Sequence, residues 1–172
     1  IDNFEITIDV SLNQAGFPLS TLNEIHSSPI VCDLDQNGDK EIIFGDHFGM
    51  INAVDKNGEY VLNNIFPYDT GGQIWGAPAI ADLDLDGFDD IVFVSSSKSI
   101  YVFDYSGLKW SYTTDSQLIS TPSIANINNN DELEIIVSGY SNNQSNYFVF
   151  SHIGEQLSQL NFTEKSRTGF AV

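Results

Sequence analysis

Short apolar runs, separated by segments rich in Asp, Asn and Gly, recur along the whole chain. The most regular runs each follow a proline, and Pro29, Pro78 and Pro122 stand 49 and 44 residues apart. A sequence period between about 20 and 50 residues is typical of repeat architectures. Short runs enriched in Val, Ile and Phe and bounded by Gly, Asn and Asp indicate β-strands, and no stretch shows a sustained helical period.

The pattern predicts four short strands in each repeat. An Asn57-Gly58 turn separates the third and fourth strands of the first repeat, as in a tight hairpin. The proline and the corresponding turn glycine are 29 residues apart in the first two repeats and 32 apart in the third, where a polar tip at 141–146 holds the extra residues. The predicted strands cover 30–32, 41–45, 50–55 and 59–62, then 78–82, 90–95, 99–104 and 108–112, then 122–126, 134–139, 147–151 and 155–160.

Both ends of the chain match parts of further repeats. Residues 16–29 align without gaps with residues 65–78, so 1–28 is predicted to be the end of a preceding repeat, with a strand over 5–10. Residues 169–172 resemble the opening strand of a further repeat. The whole repeats are then 29–77, 78–121 and 122–168. Because the chain begins with Ile1 in mid-repeat, we expect it to be a segment of a longer protein.

Four short antiparallel strands in each repeat of 44 to 49 residues are typical of β-propeller blades, whose sheets pack face to face. The predicted fold class is therefore all-β, a single β-propeller segment and a partial propeller. Its open blade edges predict self-association, although closure of the chain on itself as four blades is the alternative.

The loop between the first two strands of the second repeat is the most specific chemical feature. It sets Asp82, Asp84, Asp86 and Asp90 at relative positions 1, 3, 5 and 9, with a glycine at position 6. Ca²⁺ takes about six to eight oxygen ligands, which a tight loop with alternate inward side chains can supply. Position 7, Phe88, would contribute its backbone carbonyl. The bidentate Glu that a helix-loop-helix site needs at position 12 is missing, so the loop is predicted to join two strands.

The same loop occurs in the other two repeats. In the first, Asp33, Asp35, Asn37 and Glu41 take the side-chain positions and Asp39 the carbonyl position. A solvated Asp- and Gly-rich turn is the alternative, but two copies in the same phase favour two Ca²⁺ sites. Charge ranks the second loop above the first, and the third is a doubtful site. Its weaker candidates are Asn126, Asn128, Asn130, Glu132 and Glu134.

The pattern Pro-x-x-x-Asp-x-Asp-x-Asn/Asp-Gly resembles the FG-GAP or VCBS repeat family, found in the head of integrin alpha subunits and in many secreted bacterial proteins. The resemblance covers essentially the whole chain. It implies Ca²⁺ in the loops after Pro29 and Pro78, and an extracellular or cell-surface location. The third loop departs from the family pattern, because Asp131 replaces the glycine and Asn replaces Asp.

Composition limits the partners. The chain has 24 acidic and six basic residues and a net charge of −18, which opposes nucleic acid and anionic membranes. No apolar run is long enough to span a membrane, so no membrane insertion is expected. Cys32 is the only cysteine, which excludes an intrachain disulfide.

Two classes of function remain. One is a non-catalytic, calcium-binding propeller segment for adhesion or display, with a protein or carbohydrate ligand. The alternative is part of an extracellular polysaccharide lyase built on such a propeller. The sequence shows no group of catalytic residues that is separate from the repeat pattern, and its six Lys and Arg residues are too few to line a groove for an acidic sugar. We therefore favour the non-catalytic segment. Surface positions are expected for His26, His47 and His152, and packing, rather than sugar stacking, for Phe66, Tyr68 and Trp75.

Overall fold

A computed structural model describes residues 15–21, 23–130, 132–141 and 144–163. Within these residues the chain forms thirteen strands and no helix. The described residues therefore contain no helix that could cross a membrane. The expected strand at 5–10 and the repeat opening at 169–172 lie outside the described residues. The strands are β1 (Ile30–Cys32), β2 (Glu41–Gly45), β3 (Met50–Val54), β4 (Tyr68–Asp69), β5 (Ala79–Ala81), β6 (Asp90–Ser95), β7 (Ser99–Asp104), β8 (Gly107–Thr113), β9 (Gln117–Leu118), β10 (Ser123–Ala125), β11 (Glu134–Ser141), β12 (Gln144–Phe150) and β13 (Gln156–Phe162).

The described strands form three antiparallel sheets, one for each whole repeat. Their orders are β1-β2-β3-β4, β5-β6-β7-β8 and β10-β11-β12-β13, and the short β9 also pairs with β11. The sequence pattern predicted the first three strands of every sheet in this order. We call the three sheets the first, second and third blades.

The predicted fourth strand of the first blade, at 59–62, is wrong. The turn before it forms, since Gly58 N donates to Asp55 O at 3.0 Å. Asp55 N and Val61 N then donate to Glu59 O and Ala53 O at 2.9 and 3.1 Å around a single Val54–Tyr60 bridge, but no strand develops. Leu62 then takes a positive φ of 55°, and its carbonyl accepts from both Ile65 N and Phe66 N at 2.8 Å. This turn buries the Phe66 side chain in the core. The fourth strand is therefore β4, which pairs with the start of β3.

The third blade extends its central strands into the polar tip predicted as a loop. β11 and β12 remain paired as far as Ser141 and Gln144. Asn146 is buried there, and its side-chain amide donates to Ser116 Oγ at 2.5 Å on the segment that precedes the blade. A polar side chain with a buried partner can lie inside a sheet, which polarity along the sequence does not reveal.

Two apolar cores join the three blades in series. The first core, between the first and second blades, includes Leu34 and Phe103, and the second, between the second and third, includes Leu83 and Phe148. Ile127 occupies the position of Leu34 and Leu83 in the third blade and is 49% exposed, because no described blade covers it. Equivalent residues of the repeat are therefore buried where another described blade packs against them and exposed where none does.

Cys32 lies in the first core as a small apolar side chain. It is 3% exposed, and burial, with repulsion from Glu41 and Asp89, raises the pKa of its thiol to about 12. A thiol with so high a pKa is a poor nucleophile and a poor metal ligand at neutral pH.

Candidate metal centre

The three acidic or amide-rich loops that join the first two strands of each blade share one backbone form. Position 4 has a positive φ in each of them, at Gln36, Leu85 and Asn129. Position 6 is a glycine with φ near 94° in the first loop and 93° in the second. Such values favour glycine, which explains why both of these loops carry a glycine at position 6.

The position-1 carboxylate closes the loop onto this glycine. Asp33 Oδ2 accepts from Gly38 N at 3.0 Å, and Asp82 Oδ2 accepts from Gly87 N at 2.9 Å. The second oxygen of Asp33 has no hydrogen-bond partner among the described residues, and that of Asp82 accepts from Asp86 N at 3.0 Å, so each residue can orient the loop and still offer a ligand atom.

The position-9 carboxylate has a structural role that sequence reasoning missed. Glu41 Oε2 accepts from Leu34 N at 2.9 Å, and the carboxylates of Asp90 and Glu134 accept from the equivalent amides of Leu83 and Ile127 at 3.0 and 2.9 Å. All three carboxylates are almost fully buried. A signal was available in the sequence, since position 9 stays acidic in the third loop while positions 1, 3 and 5 become Asn.

The first loop brings three carboxylates together. Asp33, Asp35 and Glu41 each offer an oxygen within 4.8 Å of the others. Asp33 Oδ1 is buried and has no hydrogen-bond partner among the described residues. Burial raises the pKa of Glu41 above its ordinary value, and the charges of Asp35 and Asp33 add to the rise. A divalent cation at this point would satisfy the orphaned oxygen and remove the repulsion, so the residues fit Ca²⁺.

The other two candidates of the first loop lie at its surface. Asn37 Oδ1 accepts from Asp39 N at 2.8 Å, while its amide donates to Asp35 Oδ2 at 3.0 Å. The Asp39 side chain points away from the cluster and pairs with Lys56 at 2.8 Å. This leaves position 7 with its backbone carbonyl as the group for a metal, as the sequence predicts.

Only three of the four carboxylates of the second loop lie close together. Asp82, Asp84 and Asp86 offer oxygens within 4.8 Å of one another, whereas Asp90 is not part of this trio. The Phe88 side chain packs on Tyr105 outside the loop, with ring centroids 4.3 Å apart. The apolar residue at position 7 is thereby explained, because its side chain takes no part in the cluster.

Lys109 of β8 reaches into the second loop, and sequence reasoning missed it. Its Nζ lies 2.8 Å from Asp84 Oδ2 and 2.9 Å from Asp90 Oδ1. Hydrogen bonding to Lys109 lowers the pKa of Asp84, whereas burial raises the pKa of Asp90 despite the nearby ammonium. Burial would lower the pKa of Lys109, but the two carboxylates beside its ammonium group outweigh this and raise it. Nothing in the loop pattern signals this contact, since it depends on another strand.

The third loop satisfies its own polar groups. Asn128 Nδ2 donates to Glu134 Oε1 at 2.6 Å, and Asn126 Nδ2 donates to the carbonyl of Asn130. Glu132 is exposed and lies 3.5 Å from His152 Nδ1. Among the residues that the structure describes, no trio of metal-ligating side chains gathers here.

The predictions for the aromatic and histidine side chains are confirmed in part. Phe66 is 2% exposed and Tyr68 packs against the same core. Trp75 is 42% exposed and packs at the surface, where its ring centroid lies 4.9 Å from that of His47 and 5.1 Å from that of His26. His26 is exposed and lies beside the half-buried His47, although the two occupy different phases of the repeat. His152 is also half-buried, so the surface prediction is fully confirmed for His26 and only in part for the other two.

No family model and no curated protein sequence matches this chain. Among solved structures it is similar to BBS1N, solved in complex with ARL6DN, at 15% identity and a TM-score of 0.50. That alignment covers 83% of this chain and 42% of the other. The C-terminal domain of Pseudomonas aeruginosa PilY1 gives 18% identity, a TM-score of 0.55 and coverage of 76% and 32%. At such identities the likeness concerns the fold alone, which is a β-propeller-like all-β fold, and the chain spans less than half of either neighbour.

Proposed function

We propose that this chain is a calcium-binding, non-catalytic segment of a β-propeller. The observation that carries the proposal is the first loop, where three carboxylate oxygens lie within 4.8 Å and one buried oxygen lacks a partner among the described residues. Asp33, Asp35, Asn37 and Glu41 are the proposed side-chain ligands, with the carbonyl of Asp39. The second loop is the second proposed site, with Asp82, Asp84, Asp86, Asp90 and the carbonyl of Phe88.

The proposed role of the metal is to hold the blade connections in place. Both loops join the first two strands of a blade, and they touch each other, since Gln36 Nε2 donates to Gly87 O at 2.6 Å. A cation that neutralises each cluster removes repulsion from a junction between two blades. The extracellular medium suits such sites, because calcium is abundant there and occupies even sites with Kd of about 10⁻⁴ to 10⁻³ M.

We further propose a secreted or cell-surface protein in which this segment displays a surface for a protein ligand. The resemblance to FG-GAP or VCBS repeats supports the location. One structural neighbour was solved in complex with a protein partner, which supports that class of ligand.

Thermal unfolding tests the proposed metal role. We expect Tm to fall when a chelator is added and to recover with calcium, because a ligand that binds only the folded state adds about 2.7 kcal/mol per site at 100 times its Kd. For a chain of this size that corresponds to about 5–10 °C per site. The Asp35→Ala variant should lose most of the calcium-dependent rise that the first loop provides.

Asp69→Ala is the matched control, since it removes an exposed carboxylate on β4, outside the loops. Its calcium response should equal that of the unmodified chain. A Tm that is the same in chelator and in millimolar calcium, with the chelated protein verified to be metal-free, contradicts the proposal.

A further inference from the structure

One of the two proposed sites already contains a cation of the protein's own. The Lys109 ammonium group lies 2.8 Å from Asp84 and 2.9 Å from Asp90, the carboxylates at positions 3 and 9 of the second loop. Asp90 is 1% exposed, and its Oδ1 accepts no hydrogen bond of good geometry from the described residues, so the Lys109 charge is what faces this oxygen. The buried carboxylate and the ammonium group therefore form an ion pair beside the trio of Asp82, Asp84 and Asp86, and Asp84 belongs to both groups.

A local feature of the strand places Lys109 there. Val102 pairs with Trp110 and Phe103 with Leu108, so Lys109 is the extra residue of a β-bulge and has no partner across the ladder. Bulges re-aim side chains in this way. Trp110 next to it is held by its indole N–H, which donates to His152 O at 2.8 Å on the third blade. The strand beside the loop is thus fixed against the neighbouring blade.

In the part of the chain that the structure describes, no ammonium group pairs with the carboxylate trio of the first loop. Two residues beyond the turn glycine the first blade carries Tyr60, which is 48% exposed. Its nearby lysine, Lys56, pairs with the outer carboxylate of Asp39, and both side chains are about two-thirds exposed. An exposed pair of this kind is screened by water and leaves the cluster of Asp33, Asp35 and Glu41 open to a cation.

We propose that Lys109 is a tethered cation that competes with calcium for Asp84 and Asp90, so that the second loop binds calcium more weakly than the first. This inference rests on the proposed function and reverses the ranking by charge count. Calcium that enters the second loop displaces the ammonium group from the buried carboxylate. The loop thus has two ionic states, one closed by Lys109 and one filled by the dication.

Calorimetric calcium titration in an Asp35→Ala background isolates the second loop. Adding Lys109→Met should tighten calcium binding there by about tenfold or more, because the change removes a unit charge within 3 Å of two ligands. Lys109→Gln, which keeps a donor but no charge, should act in the same direction and serves if the first variant folds poorly. Lys56→Met is the matched control with the same charge change, and it should alter binding less than about twofold.

The outcomes separate this inference from the proposal on which it rests. Unchanged or weaker calcium binding in both Lys109 variants, with the first loop still binding in the unmodified chain, overturns the competition and leaves calcium binding intact. No calcium binding by either loop in any of these proteins overturns the proposed function and the inference together.

Discussion

At the residue scale, the acidic side chains of the loops divide into two roles that the sequence pattern did not separate. Position 9 supports the backbone, since Glu41, Asp90 and Glu134 each accept from the amide at position 2. The carboxylates at positions 1 and 3 gather in both of the first two loops, where Glu41 completes the first trio and Asp86 the second. An acidic residue that persists without its neighbours is therefore a sign of a structural contact.

The third loop allows the structural role to be measured apart from metal. In chelator, Glu134→Ala should lower the free energy of unfolding by about 1–3 kcal/mol, because it removes the acceptor of Ile127 N and of Asn128 Nδ2. Glu132→Ala in the same loop removes an exposed carboxylate and should cost less than about 0.5 kcal/mol. Urea unfolding of both variants provides the comparison, and equal stabilities would show that position 9 matters only through a metal.

Residue spacing predicted the candidate ligands but neither Lys109 nor the orphaned oxygen of Asp33. The spacing fixes which side chains of one loop point inward, because alternate residues and a left-handed glycine are local properties. Lys109 approaches from β8, and its position depends on a bulge in the pairing of β7 with β8. Contacts of that kind follow from the assembled sheet and are not encoded in the loop.

At the element scale, the segments that link the blades have equivalent residues with different surroundings. Ile74 and Leu118 lie four residues before Pro78 and Pro122 and are fully buried. Ile25 lies four residues before Pro29 and is 43% exposed. Apolar periodicity alone predicts the same burial for all three, and the difference follows from what covers each blade.

This difference gives a matched pair of substitutions. Leu118→Ala should lower the free energy of unfolding by about 2–5 kcal/mol, because it opens a cavity in the second core. Ile25→Ala removes a comparable side chain at the equivalent position and should cost less than about 1 kcal/mol. Denaturant unfolding at constant calcium measures both. Equal losses would mean that the link segments are buried alike in solution.

The element pattern predicted the strands where local signals agree and failed where tertiary packing decides. The hairpin at Asn57-Gly58 forms as its sequence indicates, yet the strand after it ends because Leu62 turns the chain to bury Phe66. A buried aromatic contributes about 1.5–3 kcal/mol, which outweighs the strand propensity of a few residues. The periodicity of apolar residues therefore could not predict whether the fourth strand lies at 59–62 or at 68–69.

At the scale of the whole molecule, the first and third blades, as far as the structure describes them, each expose apolar side chains. Val31 on β1 is 59% exposed, and on β13 the side chains of Leu157, Leu160 and Phe162 are each about half exposed. Repeat units without polar caps tend to associate, while a net charge of −18 opposes contact between two copies.

We expect self-association that strengthens with salt, since ionic strength screens the repulsion and leaves the apolar contact. Sedimentation equilibrium at micromolar concentration should show species above 19.0 kDa in high salt. The double variant Leu157→Ser, Leu160→Ser should shift the equilibrium toward the monomer. A clean monomer of the unmodified chain at all salt concentrations would reject association through these ends.

The central claim is that the first two loops are calcium sites, and calorimetric calcium titration of the metal-free chain tests it most directly. We predict two classes of site, the tighter lost in Asp35→Ala and the weaker lost in Asp84→Ala, each variant retaining the other class. Asp69→Ala should retain both. Saturable binding that survives both loop substitutions unchanged, or no binding up to millimolar calcium, would contradict the account.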